Sequence, residues 1–254
     1  MSEYDKYRAS PEFKVLNSKM TLDEFKFIYY MEWIHRLWGR FVGMSFVLPA
    51  VYFVARKKVS TPMAWRLFGI AGLIGFQGFL GWWMVKSGLK DDFMREDRKP
   101  GKDVPRVSQY RLAAHLGTAF VAYLSMLWVG LDVLRTNRLV NPAQNKSSAE
   151  AANATLFTLR NPALRSFKLA TALLLGLTFT TAMSGALVAG LDAGLIYNEF
   201  PYMGLGLTPP KSELFDPFYS HEPASADGQH KDLIWRNMLE NPSLVQLDHR
   251  ILAT

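Results

Sequence analysis

The chain has 254 residues, 49% of them hydrophobic, a net charge of +7 and a mean hydropathy of +0.01. It has no cysteine, which excludes disulfides, thiolate metal sites and c-type haem attachment. The averages resemble a soluble basic protein, but the apolar residues are segregated into blocks and the basic ones are spread over the loops between them. That charge pattern belongs to membrane topology and gives no reason to expect a nucleic-acid partner.

Residues 1–32 mix acids and bases without an apolar stretch. They match neither a secretory signal nor an Arg-rich presequence, so any targeting segment is expected to lie outside this chain. The block Trp33–Ala55 follows, with His35, Arg36 and Arg40 near its start. Leu67–Val85 carries no charge over 19 residues, Leu112–Leu131 none over 20 apart from His115, and Leu169–Leu191 none over 23. About 20 apolar residues cross a bilayer core as a helix, so these blocks predict four spans in contact with lipid. Leu244–Thr254 reads as the stub of a fifth span, about three turns long. A membrane helix does not end at that depth, so the chain is expected to continue past Thr254. Between the spans lie a charge-dense insertion, Lys90–Lys102, an Asn-, Ala- and Ser-rich linker over 137–166, and a long Pro-containing loop over 192–243. A loop of that length without an apolar run is expected to have a function or to cover something. The insertion has no functional reading.

Consecutive spans alternate sides. One side collects residues 1–32, 86–111 and 191–243, with 16 Lys/Arg and 19 Asp/Glu; the other collects 56–66 and 135–168, with 10 Lys/Arg and one acid. The rule that places basic loops inside rests on short loops near span ends. The short Arg56-Lys57-Lys58 loop therefore sets the second side as inner. His35, His115 and His249 then each stand near the outer end of an inward-running helix, roughly 5–8 Å into the span and in a common plane.

Ionisable groups inside a membrane are costly and tend to mark function. Three histidines at one depth point to iron held by imidazoles, and haem iron takes two axial ligands. Facing helices of a bundle build such a site by projecting side chains inward. His35 and His115 are candidates for both ligands of one site. Gly39 and Gly43 after His35, and Gly117 and Ala119 after His115, are small enough to admit a flat macrocycle. The competing reading is a polar helix-end histidine bonded to a backbone carbonyl. Glu32 stands three residues before His35, on the same helix face. It is placed either for proton handling beside the iron or as an interfacial acid paired with Arg36. Arg36, Arg40, Arg106, Arg111 and Arg250 gather at the outer span ends, as partners for haem propionates or as snorkelling anchors. Trp82 and Trp83 belong to an interfacial aromatic belt. His221 and His230 lie in the polar loop and read as solvated.

Glu32–Arg40 and Gln246–Thr254 share a His-Arg core, with an acid or an amide three residues before it. Ser87-Gly88-Leu89 and Ala193-Gly194-Leu195 both close outward-running spans. Together they suggest two homologous halves. Gln246 keeps the position and loses the acid, which suggests one reactive and one non-reactive site.

Four motifs in order carry a resemblance across essentially the whole chain: Glu32-x-x-His35-Arg36, Pro105-Arg-Val-Ser-Gln-Tyr-Arg-Leu-Ala-Ala-His115, Gly190-Leu-Asp-Ala-Gly-Leu-Ile-Tyr197 and Gln246-Leu-Asp-His-Arg250. They resemble the mitochondrial branch of the haem A synthases. The resemblance implies an all-α integral membrane fold, an antiparallel transmembrane helix bundle belonging to a two-half architecture of four plus four helices. It implies oxidation of a methyl group of haem O to the formyl group of haem A, for cytochrome c oxidase. It assigns His35 and His115 to the substrate haem O, Glu32 to catalysis, Arg36 and Arg111 to cofactor binding, and His249 to a b-type haem. The implied partners are the synthase that makes haem O, an electron donor and the oxidase assembly machinery, in the mitochondrial inner membrane; a homo-oligomer stays open. On this reading residues 1–32 are an outer N-terminal segment and 33–136 hold three of the four first-half spans. Residues 137–166 are the inner linker, and 167–254 start the second half. The first span and everything after the start of the sixth are expected to be missing. The alternatives are a bis-histidine b-type cytochrome that only relays electrons, and a non-catalytic membrane protein with interfacial histidines.

Overall fold

The computed structural model describes residues 2–89, 104–140, 160–225 and 230–254, together with 150, 153, 154, 157, 158 and 228. The Lys90–Lys102 insertion and much of the 137–166 linker lie outside the described residues.

Helices α1 (Glu3–Arg8) and α2 (Pro11–Val15) are each started by a serine whose hydroxyl accepts a backbone N–H three residues on. They fold back on helix α3 (Leu22–Ala55). The Tyr4 hydroxyl donates to the Met20 carbonyl at 2.8 Å, and the Tyr4 and Tyr7 rings sit 5.2 and 5.1 Å from the Phe25 ring. The start of α3 is set by a capping box, in which Thr21 caps the Glu24 N–H and Glu24 reaches back to the Thr21 N–H. The helix therefore begins well ahead of the apolar block at Trp33. At the inner end it closes on Lys57 in the left-handed region, and α4 (Thr61–Gly88) starts with a proline in its first turn.

Helices α5 (Gln109–Val140) and α6 (Arg165–Gly190) complete the four helices that, among the described residues, are long and apolar enough to cross a membrane. The described part of the chain is all helical apart from turns and one isolated bridge, and it is an integral membrane helical bundle. Large apolar side chains such as Phe68, Trp128 and Leu173 point outward, which is stable only against lipid. Thr171, Thr178, Thr180 and Thr181 on α6 return their hydroxyl hydrogens to the carbonyl four residues back, so these four hydroxyls are satisfied within the helix. At the inner end Asp132 of α5 is held by Arg66 and Arg135, each at 2.8 Å.

The spans pack in order. Helix α4 lies against α3 and α5, α5 against α6, and α6 against the last helix, α9 (Pro242–Ala253). Before α9, the outer segment forms a cap with two helices of its own, α7 (Lys211–Leu214) and α8 (Leu233–Glu240). This cap and the first turn of α9 hold many of the most buried of the described residues, among them Ala193, Met203, Asn237 and Asn241 in the cap and Val245 in α9. Asn237 exchanges hydrogen bonds with the backbone of Asp216, and Asn241 donates to the Glu213 carbonyl at 2.6 Å. Buried amides of this kind fix a unique loop path because any other path leaves them unbonded. The cap is tied to the spans by Tyr110 of α5, which donates to Glu240 at 2.9 Å, by Gln109, which donates to the Leu239 carbonyl at 3.4 Å, and by Arg106, which donates to the Leu191 carbonyl at 2.5 Å. Beside these ties Gly190 of α6 meets the backbone of Gln109 of α5.

Candidate functional site

His115 projects from α5 onto α4, where its ring lies over Gly81. A Cβ at Gly81 would stand 3.4 Å from His115 Cε1. The small residue there leaves room for the imidazole that a side chain larger than a methyl group would fill. His115 Nδ1 is buried and has no hydrogen-bond partner. His35, on the exposed face of α3, lies near enough to His115 for the two to interact electrostatically. Helix α4 packs between the two helices that carry them. The two histidines expected to share a site thus stand on the helices that flank α4.

The small residues divide differently from the expectation. A Cβ at Gly43 would be 3.2 Å from Ile74 of α4, and one at Gly117 would be 3.1 Å from Met183 Sδ of α6. Both glycines let helices approach one another. Gly117 is two residues from His115, which on a helix turns it to the opposite side. Gly39 has nothing within 4 Å of its would-be Cβ and leaves space one turn inward of His35.

His249 repeats the histidine-on-glycine arrangement. Its ring lies over Gly185 of α6, with Cε1 3.1 Å from a would-be Cβ. Ser184 adds a hydrogen bond of 2.7 Å to His249 Nδ1. The Ser184 hydroxyl hydrogen goes to the Thr181 carbonyl at 2.7 Å, so Ser184 accepts from Nδ1–H and His249 Nε2 keeps its lone pair. A hydrogen bond of this type, to the far ring nitrogen, orients a metal-binding imidazole.

Glu32 and Arg36 form an ion pair across one turn of α3, both about half exposed. The carboxylate therefore stands one turn outward of His35 with its position set by Arg36. The N-terminal helices bring a second carboxyl, Glu12, into its field. Burial lifts Glu12 above the usual carboxylate range, the Tyr7 hydroxyl holds it back, and the charge on Glu32 adds to the lift. In the matching turn of α9, Gln246 and Arg250 converge instead on the Tyr197 carbonyl, each at 2.8 Å.

The arginines divide by what they hold. Arg106 and Arg250 bond the Leu191, Tyr197 and Tyr202 carbonyls and fasten the cap. Arg111, one turn outward of His115, lies 4.2 Å over the Trp83 ring and donates to the Trp83 carbonyl at 2.7 Å. Trp83 is thereby a support for Arg111 as well as an interfacial ring. His221 pairs with Glu240 at 3.0 Å and His230 bonds the Glu222 carbonyl at 2.8 Å, so both are partnered within the cap.

Sequence reasoning passed over Gly81, Gly185, Ser184, Glu12 and Gln77. Gln77 is the one amide in Leu67–Val85, and its side-chain nitrogen is buried without a partner. A lone polar residue in an apolar span is the signal that would have found it. The donor set fits a haem on three grounds: two imidazoles from the helices on either side of α4, a glycine in place of a side chain beneath one ring, and an unpartnered ring nitrogen.

The family model described as "Cytochrome oxidase assembly protein" (COX15-CtaA) matches residues 1–254. "Heme A synthase COX15" of Saccharomyces cerevisiae is 52% identical over 252 residues, covering 99% of this chain and 49% of the relative. "Heme A synthase COX15" of Homo sapiens is 45% identical over 252 residues, covering 99% of this chain and 52% of the relative. "Heme A synthase-mitochondrial ferredoxin fusion protein" of Schizosaccharomyces pombe is 43% identical over 252 residues, again 99% of this chain and 39% of the relative. The chain spans about half the length, or less, of these relatives. No solved structure matches it.

Proposed function

This chain belongs to the cytochrome oxidase assembly protein family, and we propose from that premise that it carries the substrate site of a haem A synthase. The observation that carries the reading is the pairing of His35 and His115 about α4, with the His115 ring seated on Gly81 and its Nδ1 unpartnered. The substrate is haem O, and the net change is oxidation of one ring methyl to a formyl group.

His35 and His115 hold the substrate iron from α3 and α5. Arg36 and Arg111, at the outer edge of the same helices, hold the propionates, since guanidinium groups bind carboxylates in bidentate fashion. The Glu32 carboxylate, positioned by Arg36 one turn outward of His35, stands where it can hold or pass on a proton at the edge of the ring. His249, with Nδ1 bonded to Ser184, would offer Nε2 to a b-type haem in the second half, which would supply electron transfer when bound. The setting is the mitochondrial inner membrane, with the synthase of haem O upstream and cytochrome c oxidase assembly downstream. The ferredoxin named in the Schizosaccharomyces pombe relative supports a ferredoxin-type electron donor.

The test is Glu32→Gln in cells supplied with haem O. The expected result is haem retained in the purified protein and no haem A among the extracted pigments. Normal haem A production by this variant would remove Glu32 from the chemistry.

A further inference from the structure

Gln77 has no role in the site as described, yet its place in α4 is specific. Ile74 touches the position of Gly43 on α3 and Gly81 underlies His115 on α5, and Gln77 falls on the same stripe between them. Its Nε2 is buried there without a partner. It stands four residues, about 6 Å, inward of Gly81 along the helix. Further inward, a cavity of about 440 Å³ lies among α3, α4 and α5, with an almost wholly apolar lining that includes Phe46, Met63, Ile70, Met126 and Gly130. Phe46, Ile70 and Met126 are each eleven residues inward of His35, Gly81 and His115 in turn, so the cavity begins about 16 Å below the histidine plane.

We infer that Gln77 and this cavity form a subsite for the hydroxyalkyl-isoprenoid arm of haem O, and that they make the site select haem O over protohaem. The inference rests on the reading of His35 and His115 as the substrate site. With the propionates held outward by the arginines, the opposite edge of the ring faces inward. That edge bears the arm that protohaem lacks: a secondary hydroxyl next to the ring and a farnesyl chain beyond it. The hydroxyl falls at the level of Gln77, half a porphyrin width below the iron, and accepts from Nε2–H. The chain runs on into the apolar cavity. A site built to bond a hydroxyl discriminates against the analogue without one because its own polar group is then left buried and unbonded.

The test is equilibrium binding, read from the Soret band of the detergent-purified full chain titrated with haem O and, separately, with protohaem. Gln77→Leu removes the donor. Gly130→Phe fills the cavity from a position whose Cβ meets nothing within 4 Å, and it replaces a helix-weakening residue. Each variant is expected to bind haem O about tenfold or more weakly while its protohaem affinity stays at the wild-type value. Unchanged haem O to protohaem ratios in both variants would overturn the subsite and leave the substrate reading standing. Equal loss of both ligands in Gln77→Leu and in a length-matched Gln77→Met would make Gln77 a structural residue and overturn it too. Failure of the wild-type chain to bind either haem would overturn the substrate reading itself.

Discussion

Replacing Gly81 with valine tests the seat of His115 directly. A Cβ alone at this position would stand 3.4 Å from Cε1, which is ordinary contact, so Gly81→Ala is expected to bind haem like the wild type. Valine adds two methyl carbons about 1.5 Å further out, and its branching holds them in one rotamer on a helix. A methyl directed at the ring would come to about 2 Å from it, where carbon contacts are comfortable at about 3.5–4.0 Å. His115 must then leave its place. Overpacking of this kind costs about 1–3 kcal/mol, or roughly a five- to 150-fold loss of haem affinity. The assay is a haem titration followed in the Soret band, with reduced-minus-oxidised spectra of the saturated protein. Gly78→Val is the control, because a Cβ there meets nothing within 4 Å. A wild-type spectrum and affinity for Gly81→Val would refute the packing of His115 on Gly81, and with it the main support for the site.

Gly190→Ala would place a Cβ 2.5 Å from the Gln109 Cα, against backbone that has no rotamer to yield. We expect a loss of about 1–3 kcal/mol in stability, seen as a lower Tm in detergent; an unchanged Tm would contradict the close approach of α5 and α6. Ser184→Ala leaves His249 Nδ1 without its partner, and loss of the hydrogen bond that orients a metal-binding imidazole typically weakens metal binding by about 10- to 100-fold. The second-half haem signal should weaken, and its persistence at full strength would count against the Ser184 bond. For the cap, burial alone would raise Asp232, but the Ser220 hydroxyl and the His221 and Glu222 N–H groups hold its carboxylate down to about 2. A depressed carboxylate stabilises the fold above its ordinary value near 3.8 and loses that effect as pH falls towards 2. Pepsin cleavage within residues 216–232 should therefore rise across that window and be less pH-dependent in Asp232→Asn; equal profiles would remove Asp232 as the latch.

The four spans were legible because long uncharged runs have few alternatives to a membrane helix. The early start of α3 was written as plainly, in Thr21-x-x-Glu24, but a capping box carries no hydropathy and is lost in a search for apolar blocks. The histidines announced themselves as rare polar groups at matched depth. Their glycines did not. Gly81 and Gly117 look alike in sequence, and only the packing of neighbouring helices separates a seat for a ring from a contact with Met183. The cap was least legible. Its order depends on pairs such as Asn237 with Asp216 and Tyr197 with Glu213, far apart in sequence and without local periodicity.

Chain synthesis runs in one direction, and the ties on α5 are made at different times. When α5 first enters the bilayer, its outer turn is held by α4 alone, through Ser108 N–H to Ser87 Oγ and through Arg111 to Trp83. The bond from Tyr110 waits for Glu240, which is made 130 residues later. The position of His115, one turn inward of those ties, is therefore completed only after translation has passed the cap. A ribosome stalled between α6 and α8 would display every first-half ligand described above, on helices of full length, with the outer turn of α5 still half fastened.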